Sequence, residues 1–180
     1  MKSIVRNSIV WMVALLSMNA SAQTITPKGE WIKPSNEDIQ YVGRISFKNP
    51  DSPAFTYPGT QIIARFEGTS LKMIAKPMSG YFMAQIDKAE PFKVGFNAPA
   101  DSIVTLAAAL PDGLHEVRLM YIIEGYERKP EFRGFLLDEG KQLADAPTLP
   151  KRKIEFIGNS ITCGYGIEST NPREHFMDET

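Results

Sequence analysis

"LHEVRLMYII", residues 114–123, alternates apolar and polar side chains, and this alternation governs the interpretation of the middle of the chain. Val117, Leu119 and Tyr121 fall on one side of an extended backbone, whereas Glu116 and Arg118 fall on the other. A period of two residues indicates a strand with one buried face and one solvated face. The stretch therefore predicts a sheet that is packed on one side only.

The same pattern recurs upstream and downstream of this stretch. In "SLKMIAK", residues 70–76, Leu71, Met73 and Ala75 oppose Lys72 and Lys76. The sequence predicts eight short strands, which are Tyr41–Phe47, Gln61–Glu67, Ser70–Lys76, Tyr81–Asp87, Pro91–Phe96, Ser102–Leu110, Leu114–Ile123 and Gly134–Asp138.

Turn-forming residues separate these strands, and no capped segment between them has a 3.6-residue period. The turns are Tyr57-Pro58-Gly59, Glu67-Gly68-Thr69, Pro111-Asp112-Gly113 and Glu139-Gly140-Lys141. This organisation predicts a mainly β fold, a jelly-roll β-sandwich over residues 23–147. Pro147 and Pro150 bracket a short stiff connection, which we take as a domain boundary before a second segment, residues 151–180.

The first 22 residues have the organisation of a secretory signal peptide. Lys2 and Arg6 precede a short apolar run, residues 9–16, and Ala20-Ser21-Ala22 provides a small-residue cleavage site. The run is too short to span a bilayer, which needs about 20 apolar residues. We expect cleavage before Gln23 and a secreted or periplasmic protein without a membrane span.

Composition excludes several classes of function. The chain has 180 residues, of which 43% are apolar, enough for a packed core. Cleavage before Gln23 leaves 18 basic and 21 acidic side chains, a net charge of −3, so nucleic-acid binding is not expected. Cys163 is the single cysteine, which precludes an internal disulfide and a cysteine-rich zinc site. We expect no cofactor and no metal.

The second segment opens with a possible nucleophile. In "IEFIGNSITCGYG", residues 154–166, the apolar run 154–157 is predicted to be a strand, and Gly158 allows a tight turn after it. Such a turn places the hydroxyl of Ser160 at the carboxyl end of a strand, where ligands bind in open α/β sheets. The glycine spacing matches neither a phosphate-binding loop nor a dinucleotide fingerprint, and Thr162 departs from the Gly-x-Ser-x-Gly elbow.

These residues carry a family resemblance. "IEFIGNSITCGYG" resembles the first conserved block of the SGNH (GDSL-type) hydrolases, and with "FTYPGTQIIARFEGTSLKM" and "LPDGLHEVRLMY" upstream the chain resembles carbohydrate esterase family two. The resemblance covers essentially residues 40–166. It implies an amino-terminal jelly roll followed by the first strand and nucleophile turn of an incomplete α/β (SGNH-type) domain. It also implies deacetylation of plant-type polysaccharides through an acyl-serine intermediate.

The resemblance assigns a role to three residues. Ser160 is the nucleophile and its backbone N–H contributes to the oxyanion hole, while Gly158 and Asn159 shape the turn around it. Asn159 departs from the aspartate usual in the wider superfamily. The family's catalytic histidine and aspartate, and its other oxyanion donors, come from blocks not found after Ser160. We therefore expect the chain to be truncated and inactive alone.

Three other residues could be mistaken for catalytic groups. His115 ends an Asp-x-x-His string that begins at Asp112, but it precedes the serine and leads into a sandwich strand. His175 follows the serine too closely to match the family histidine, and Cys163 is more typical of a small buried hydrophobe. We interpret all three as non-catalytic.

Two other functions stay open at this stage. The sandwich could be a non-catalytic carbohydrate-binding or structural module, because aromatic rings stack on sugars; the candidates are Trp31, Tyr41, Tyr57, Tyr81 and Tyr126. Most aromatic side chains of a sandwich nevertheless fill its core. A lipase or thioesterase of the same superfamily would differ only in substrate. The expected partner is an acetylated polysaccharide or oligosaccharide, and the sequence does not specify the sugar.

Overall fold

The structure of the protein is a computed structural model, which describes residues 28–167 except positions 126, 153, 163 and 165. The signal-peptide prediction and the interpretations of Tyr126, Cys163 and His175 lie outside the described residues. In the described part of the chain all regular structure is strand. The strands are Glu30–Ile32 (β1), Gln40–Val42 (β2), Gln61–Gly68 (β3), Leu71–Ala75 (β4), Gly80–Ile86 (β5), Phe92–Phe96 (β6), Ile103–Ala107 (β7), Gly113–Tyr121 (β8), Phe132–Leu137 (β9) and Leu143–Ala144 (β10).

The strands form two antiparallel sheets that face each other, which confirms the predicted sandwich. The four-stranded sheet has the order β1-β9-β4-β7. The six-stranded sheet has the order β10-β3-β8-β5-β6, and β2 also pairs with β3. Because β2 pairs with residues 61–63 and β10 with residues 65–66, the two short strands share one edge of β3.

The core lies between the sheets and follows the alternation of the sequence. Leu71, Met73 and Ala75 of β4 are buried, as are Val117, Leu119 and Tyr121 of β8. Burying a side chain of leucine or phenylalanine size contributes about 1.5–3 kcal/mol, so this two-sided core is the main source of stability. The hydroxyl of Tyr121 is buried too, and it donates a hydrogen bond to the carbonyl of Ser79 at 2.9 Å.

Several strand boundaries differ from the sequence-based prediction. The predicted strand 41–47 ends at Val42, because Gly43 adopts a positive φ of 109° that turns the chain away from β3. The predicted strand 102–110 ends at Ala107, shortly before Ala109, which also has a positive φ. The sequence did not predict β1 and β10, which have three residues and two residues and are too short to display alternation.

The prediction of a strand at residues 154–157 is wrong for the described structure. No regular structure is assigned there, and Phe156 and Ile157 are 81% and 89% exposed. The physical reason is that a strand needs a neighbour for its backbone N–H and C=O groups. The described residues provide no strand that pairs with this run.

A β-bulge in β9 shapes the four-stranded sheet. Ile74 of β4 pairs with Gly134, but Ala75 pairs with Phe132, so Arg133 is an extra residue in β9. Gly134 has a φ of +114°, and a Cβ at this position would lie 2.1 Å from the carbonyl oxygen of Ile32. Glycine is therefore required at the bulge, which twists β9 and leaves the carbonyl of Arg133 out of the ladder.

Candidate functional site

The Ser160 segment is an exposed turn after the sandwich. The side-chain oxygen of Asn159 accepts a hydrogen bond from the N–H of Ile161 at 3.1 Å, and the carbonyl of Asn159 accepts one from the N–H of Thr162 at 3.0 Å. Asparagine favours such turns because its side chain imitates a backbone acceptor. The two bonds fold the backbone around Ser160 and leave that residue at the outer side of the turn.

Gly158 is required in this turn because of space. A Cβ added at Gly158 would lie 2.0 Å from Oγ1 and 2.5 Å from Cβ of Thr162, so any larger residue would push the two sides of the turn apart. Gly158 and Asn159 thus form one local unit with Ser160. Ser160 itself is exposed, so the arrangement can present this residue to a substrate.

His115 lies in the sandwich and both of its ring nitrogens are engaged. Nδ1 is 2.9 Å from a carboxylate oxygen of Asp87, and Nε2 is 2.9 Å from the carbonyl oxygen of Pro111. Both partners are acceptors, so the ring satisfies them best when both nitrogens carry a proton. The hydrogen bonds to Asp87 and to the Pro111 carbonyl raise the pKa of His115 above its ordinary value.

The Asp-x-x-His string does not form a catalytic pair in the structure. Asp112 accepts a hydrogen bond from Nζ of Lys141 at 2.8 Å instead of orienting His115. A doubly protonated imidazole has no lone pair with which to take a proton from a serine. The pairing of His115 with Asp87 was missed by the sequence analysis, because no local motif joins positions 28 residues apart.

A shallow groove of about 580 Å³ runs close to the start of the second segment. Its floor is the buried ring of Phe55, and Tyr57, which is 55% exposed, forms part of its wall. The guanidinium of Arg44 lies 5.6 Å from the centre of the Tyr57 ring. The same guanidinium lies 3.9 Å from the carboxylate of Glu155. This ion pair connects the groove with the second segment.

The candidate sugar-stacking aromatics divide into two groups. Tyr41 and Tyr81 pack against the core, and burial raises the pKa of Tyr41, whose hydroxyl donates to the carbonyl of Pro34. Trp31 and Tyr57 are about half exposed. Within the described ranges, no group of three or more histidine, cysteine, aspartate or glutamate residues could hold a metal ion. Those ranges also contain no helix with the length and apolarity needed to cross a bilayer.

Comparison with known proteins gives a consistent result. Residues 41–147 match the family model described as the N-terminal domain of carbohydrate esterase 2. The cellulase/esterase CelE of Acetivibrio thermocellus is 38% identical over 144 residues, which are 78% of this chain and 17% of that protein. An acetylxylan esterase / glucomannan deacetylase of Cellvibrio japonicus is 28% identical over 155 residues, 85% of this chain and 43% of that protein.

Solved structures lead to the same group of proteins. A family two carbohydrate esterase from Clostridium thermocellum, solved in complex with cellohexaose, superimposes with a TM-score of 0.66 at 34% identity. The match covers 79% of this chain and 44% of that one. The chain thus spans less than half the length of each of these relatives.

Proposed function

Because the chain belongs to carbohydrate esterase family two, we propose that it provides the sandwich and the nucleophile segment of an exported serine esterase that deacetylates polysaccharides. The observation that carries the proposal is the order of two features in one chain. The matched domain ends at residue 147, and the Gly158-Asn159-Ser160 turn follows it after a short connection. The names of the relatives, an acetylxylan esterase / glucomannan deacetylase among them, support the substrate class.

The proposed reaction assigns the first covalent step to Ser160. Its Oγ attacks the carbonyl carbon of an acetyl ester, the sugar hydroxyl leaves with a proton, and an acetyl-serine forms. Water then attacks this ester, releases acetate and restores the hydroxyl. The N–H of Ser160 donates to the oxygen that becomes negative in each tetrahedral intermediate.

A base must remove the proton of Ser160, and we place that base outside residues 1–180. His115 is bound on both sides within the sandwich, and His175 follows the serine too closely in the sequence to match the histidine of the family. Without an oriented base a serine hydroxyl is a weak nucleophile. The 180-residue chain is therefore expected to hydrolyse aryl acetates hardly faster than buffer.

The decisive experiment uses the protein expressed from the gene with its downstream coding region. We expect it to release acetate from acetylated xylan or glucomannan, and Ser160→Ala to lower turnover by about 10⁴-fold or more. Ser52→Ala, a change at a partly exposed position of the sandwich, is the matched control and should leave turnover unchanged. The intact mass of the secreted enzyme should correspond to a chain that begins at Gln23.

Other outcomes would redirect the proposal. Robust turnover by the Ser160→Ala enzyme would remove Ser160 from the mechanism. Faster hydrolysis of long-chain acyl esters than of acetyl esters would favour a lipase or thioesterase of the same superfamily. Robust, Ser160-dependent turnover by the 180-residue chain would make His115 or His175 a candidate base.

A further inference from the structure

Trp31 is a large aromatic side chain that the fold holds in one orientation while leaving it 49% exposed. Its indole N–H donates a hydrogen bond at 3.0 Å to the carbonyl of Arg133, the residue added to β9 by the bulge. The ring lies directly over Gly134, where an added Cβ would be 2.9 Å from Nε1. The bulge thus supplies both the acceptor that orients the indole and the space that the indole needs.

Paired residues continue from Trp31 in a row across the outer face of the four-stranded sheet, with the buried Leu136 between the indole and Lys72. Trp31 pairs with Leu136, Leu136 with Lys72, and Lys72 with Thr105. With strands about 4.8 Å apart, the row is about 14 Å long. It offers an apolar ring at one end and the ammonium of Lys72 and the hydroxyl of Thr105 as hydrogen-bond donors farther along. We call this row the Trp31 platform.

The chemistry of the Trp31 platform fits a neutral sugar chain. A pyranose ring has a face of C–H groups and an edge of hydroxyls, so it can stack on an indole while its hydroxyls bond to nearby donors. In a β-1,4-linked chain the sugar rings follow one another in an extended ribbon, which suits a row of side chains that extends across three strand spacings. An α-1,4-linked chain coils and presents no such ribbon.

We propose that the Trp31 platform is a non-catalytic binding site for a β-1,4-linked glycan, with one pyranose ring stacked on the indole of Trp31. The choice of glycan rests on the proposed function, whereas the existence of the platform rests on the geometry around Trp31. None of its residues belongs to the Ser160 turn, and its part in the protein would be to hold the polymer.

A lysine side chain already approaches the indole. The ammonium of Lys33 lies 5.8 Å from the ring centre, at the long end of the range for a cation–π contact. At an exposed position such a contact is worth about 0.5–1 kcal/mol, so a sugar ring can displace the flexible lysine. The displaced ammonium then becomes another donor for sugar hydroxyls.

The sequence provides a direct probe of this site. The chain has two tryptophans, Trp11 and Trp31, and a chain that begins at Gln23 lacks Trp11, so it reports on Trp31 alone in fluorescence. On titration with cellohexaose we expect the emission to shift to shorter wavelength and acrylamide quenching to fall at least about twofold, because the ring loses water. Maltohexaose, the α-1,4-linked control, should change neither quantity.

Variants test the same site by an independent readout. In affinity electrophoresis through soluble glucomannan, Trp31→Ala should weaken retention by about tenfold, a loss appropriate to one stacking contact, and Trp31→Phe by less. Phe92→Ala removes an exposed aromatic from β6 of the other sheet and should stay within about twofold of the parent chain. Circular dichroism shows whether Trp31→Ala keeps the sandwich; if it does not, Trp31→Phe and the fluorescence titration decide.

Three results would overturn the proposal. They are an emission of Trp31 unaffected by cellohexaose, an equal response to maltohexaose, and an equal loss of retention in Phe92→Ala. A Trp31 ring shielded by a second copy, detected by sedimentation at the titration concentration, would assign the platform to self-association instead. None of these measurements involves hydrolysis, so a failed esterase test with Ser160→Ala leaves the result of this test unaffected.

Discussion

Asp138, at the end of β9, binds the turn between β3 and β4 through a dense set of hydrogen bonds. One carboxylate oxygen accepts from the backbone N–H of Thr69 at 2.6 Å, its hydroxyl at 2.9 Å and the N–H of Ser70 at 3.1 Å. The other oxygen accepts from the hydroxyl of Ser70. The bonds from Ser70 and Thr69 lower the pKa of Asp138 to about 2. The carboxylate thus fixes the turn in which the chain passes from one sheet to the other, because β3 and β4 belong to different sheets.

Asp138→Asn is expected to lower the free energy of unfolding by about 1–2 kcal/mol at pH 7, because charge-assisted hydrogen bonds are the stronger ones. The folded-state pKa is depressed, so the contribution of Asp138 is present above the ordinary aspartate value and is lost as the pH falls through about 2. Urea unfolding at pH 7 and at pH 2 measures both. Asp145→Asn, at an exposed position, is the control, and equal effects of the two changes would contradict this role for Asp138.

His115 gives the opposite dependence on pH. Its folded-state pKa is raised, so its contribution is complete below the ordinary histidine pKa of about 6.5 and is lost as the pH rises through the folded value. The partner of His115 is Asp87. Burial raises the pKa of Asp87, but the hydrogen bonds from the N–H of Glu116 and from His115 outweigh it and lower that pKa below its ordinary value. The pair therefore contributes most in the mildly acidic range.

We expect the unfolding free energy of the parent chain, relative to His115→Gln, to fall by about 1 kcal/mol as the pH rises past neutrality, since about one hydrogen-bonded charge is lost. His175→Gln, which changes the other histidine of the sequence, should keep the parental profile. Nuclear magnetic resonance titration of the His115 ring gives the pKa directly. A value at or below the ordinary histidine pKa would refute the pairing.

These residues also show the limit of sequence reasoning at the residue scale. Asp112 is three positions from His115 and suggests a pair, but the fold joins His115 to Asp87, which lies on a neighbouring turn. The carboxylate of Asp138 likewise binds residues 68 and 69 positions away. Such contacts depend on which strands become neighbours, and neighbours in a sheet are not encoded locally.

At the scale of elements, alternation was a sound guide wherever a strand was long enough to show it. β3, β4, β5 and β8 have five to nine residues with one buried face, and the sequence predicted all four. β1 and β10 were missed because their existence depends on the edges that β9 and β3 offer them. For residues 154–157 the prediction failed in the opposite way. A short, mostly apolar run was predicted to be a strand, but such a run does not form a strand without a neighbouring strand.

The exposure of that run leads to a prediction about the connection after the sandwich. Trypsin or a similar protease at low concentration should cut near residues 149–153 and leave a resistant core from about residue 25 to 147, because exposed linkers open at little free-energy cost. Mass spectrometry of the products identifies the site. The predicted domain boundary depends on this outcome.

Amide hydrogen exchange is the sharper control for the same prediction. Residues 154–158 should exchange rapidly, whereas residues 117–121, at the centre of the six-stranded sheet, should be strongly protected. Comparable protection of the two stretches would make the run an integral part of the sandwich and would place the boundary elsewhere.

At the scale of the whole molecule, the sandwich and the family were accessible from the sequence, whereas the geometry of the surface was not. The turn strings and alternating stretches indicated a jelly roll of the family-two type, and the match over residues 41–147 confirms the family. The Trp31 platform could not be anticipated. It needs a bulge in β9, an edge strand from the start of the domain and a glycine beneath the ring, and these come together only in the folded sheet.

The pairing of β1 with β9 also sets the order in which the molecule can be completed. The hydrogen bond from Trp31 to Arg133 spans 102 positions, so the first strand emerges from the ribosome long before its partner exists. Contacts between distant positions close slowly, because a long loop must first be ordered. Because synthesis begins at the amino terminus, the four-stranded sheet stays incomplete until β9 has been synthesised. Until then β1 has no partner strand, although it was synthesised before every other strand of the sandwich.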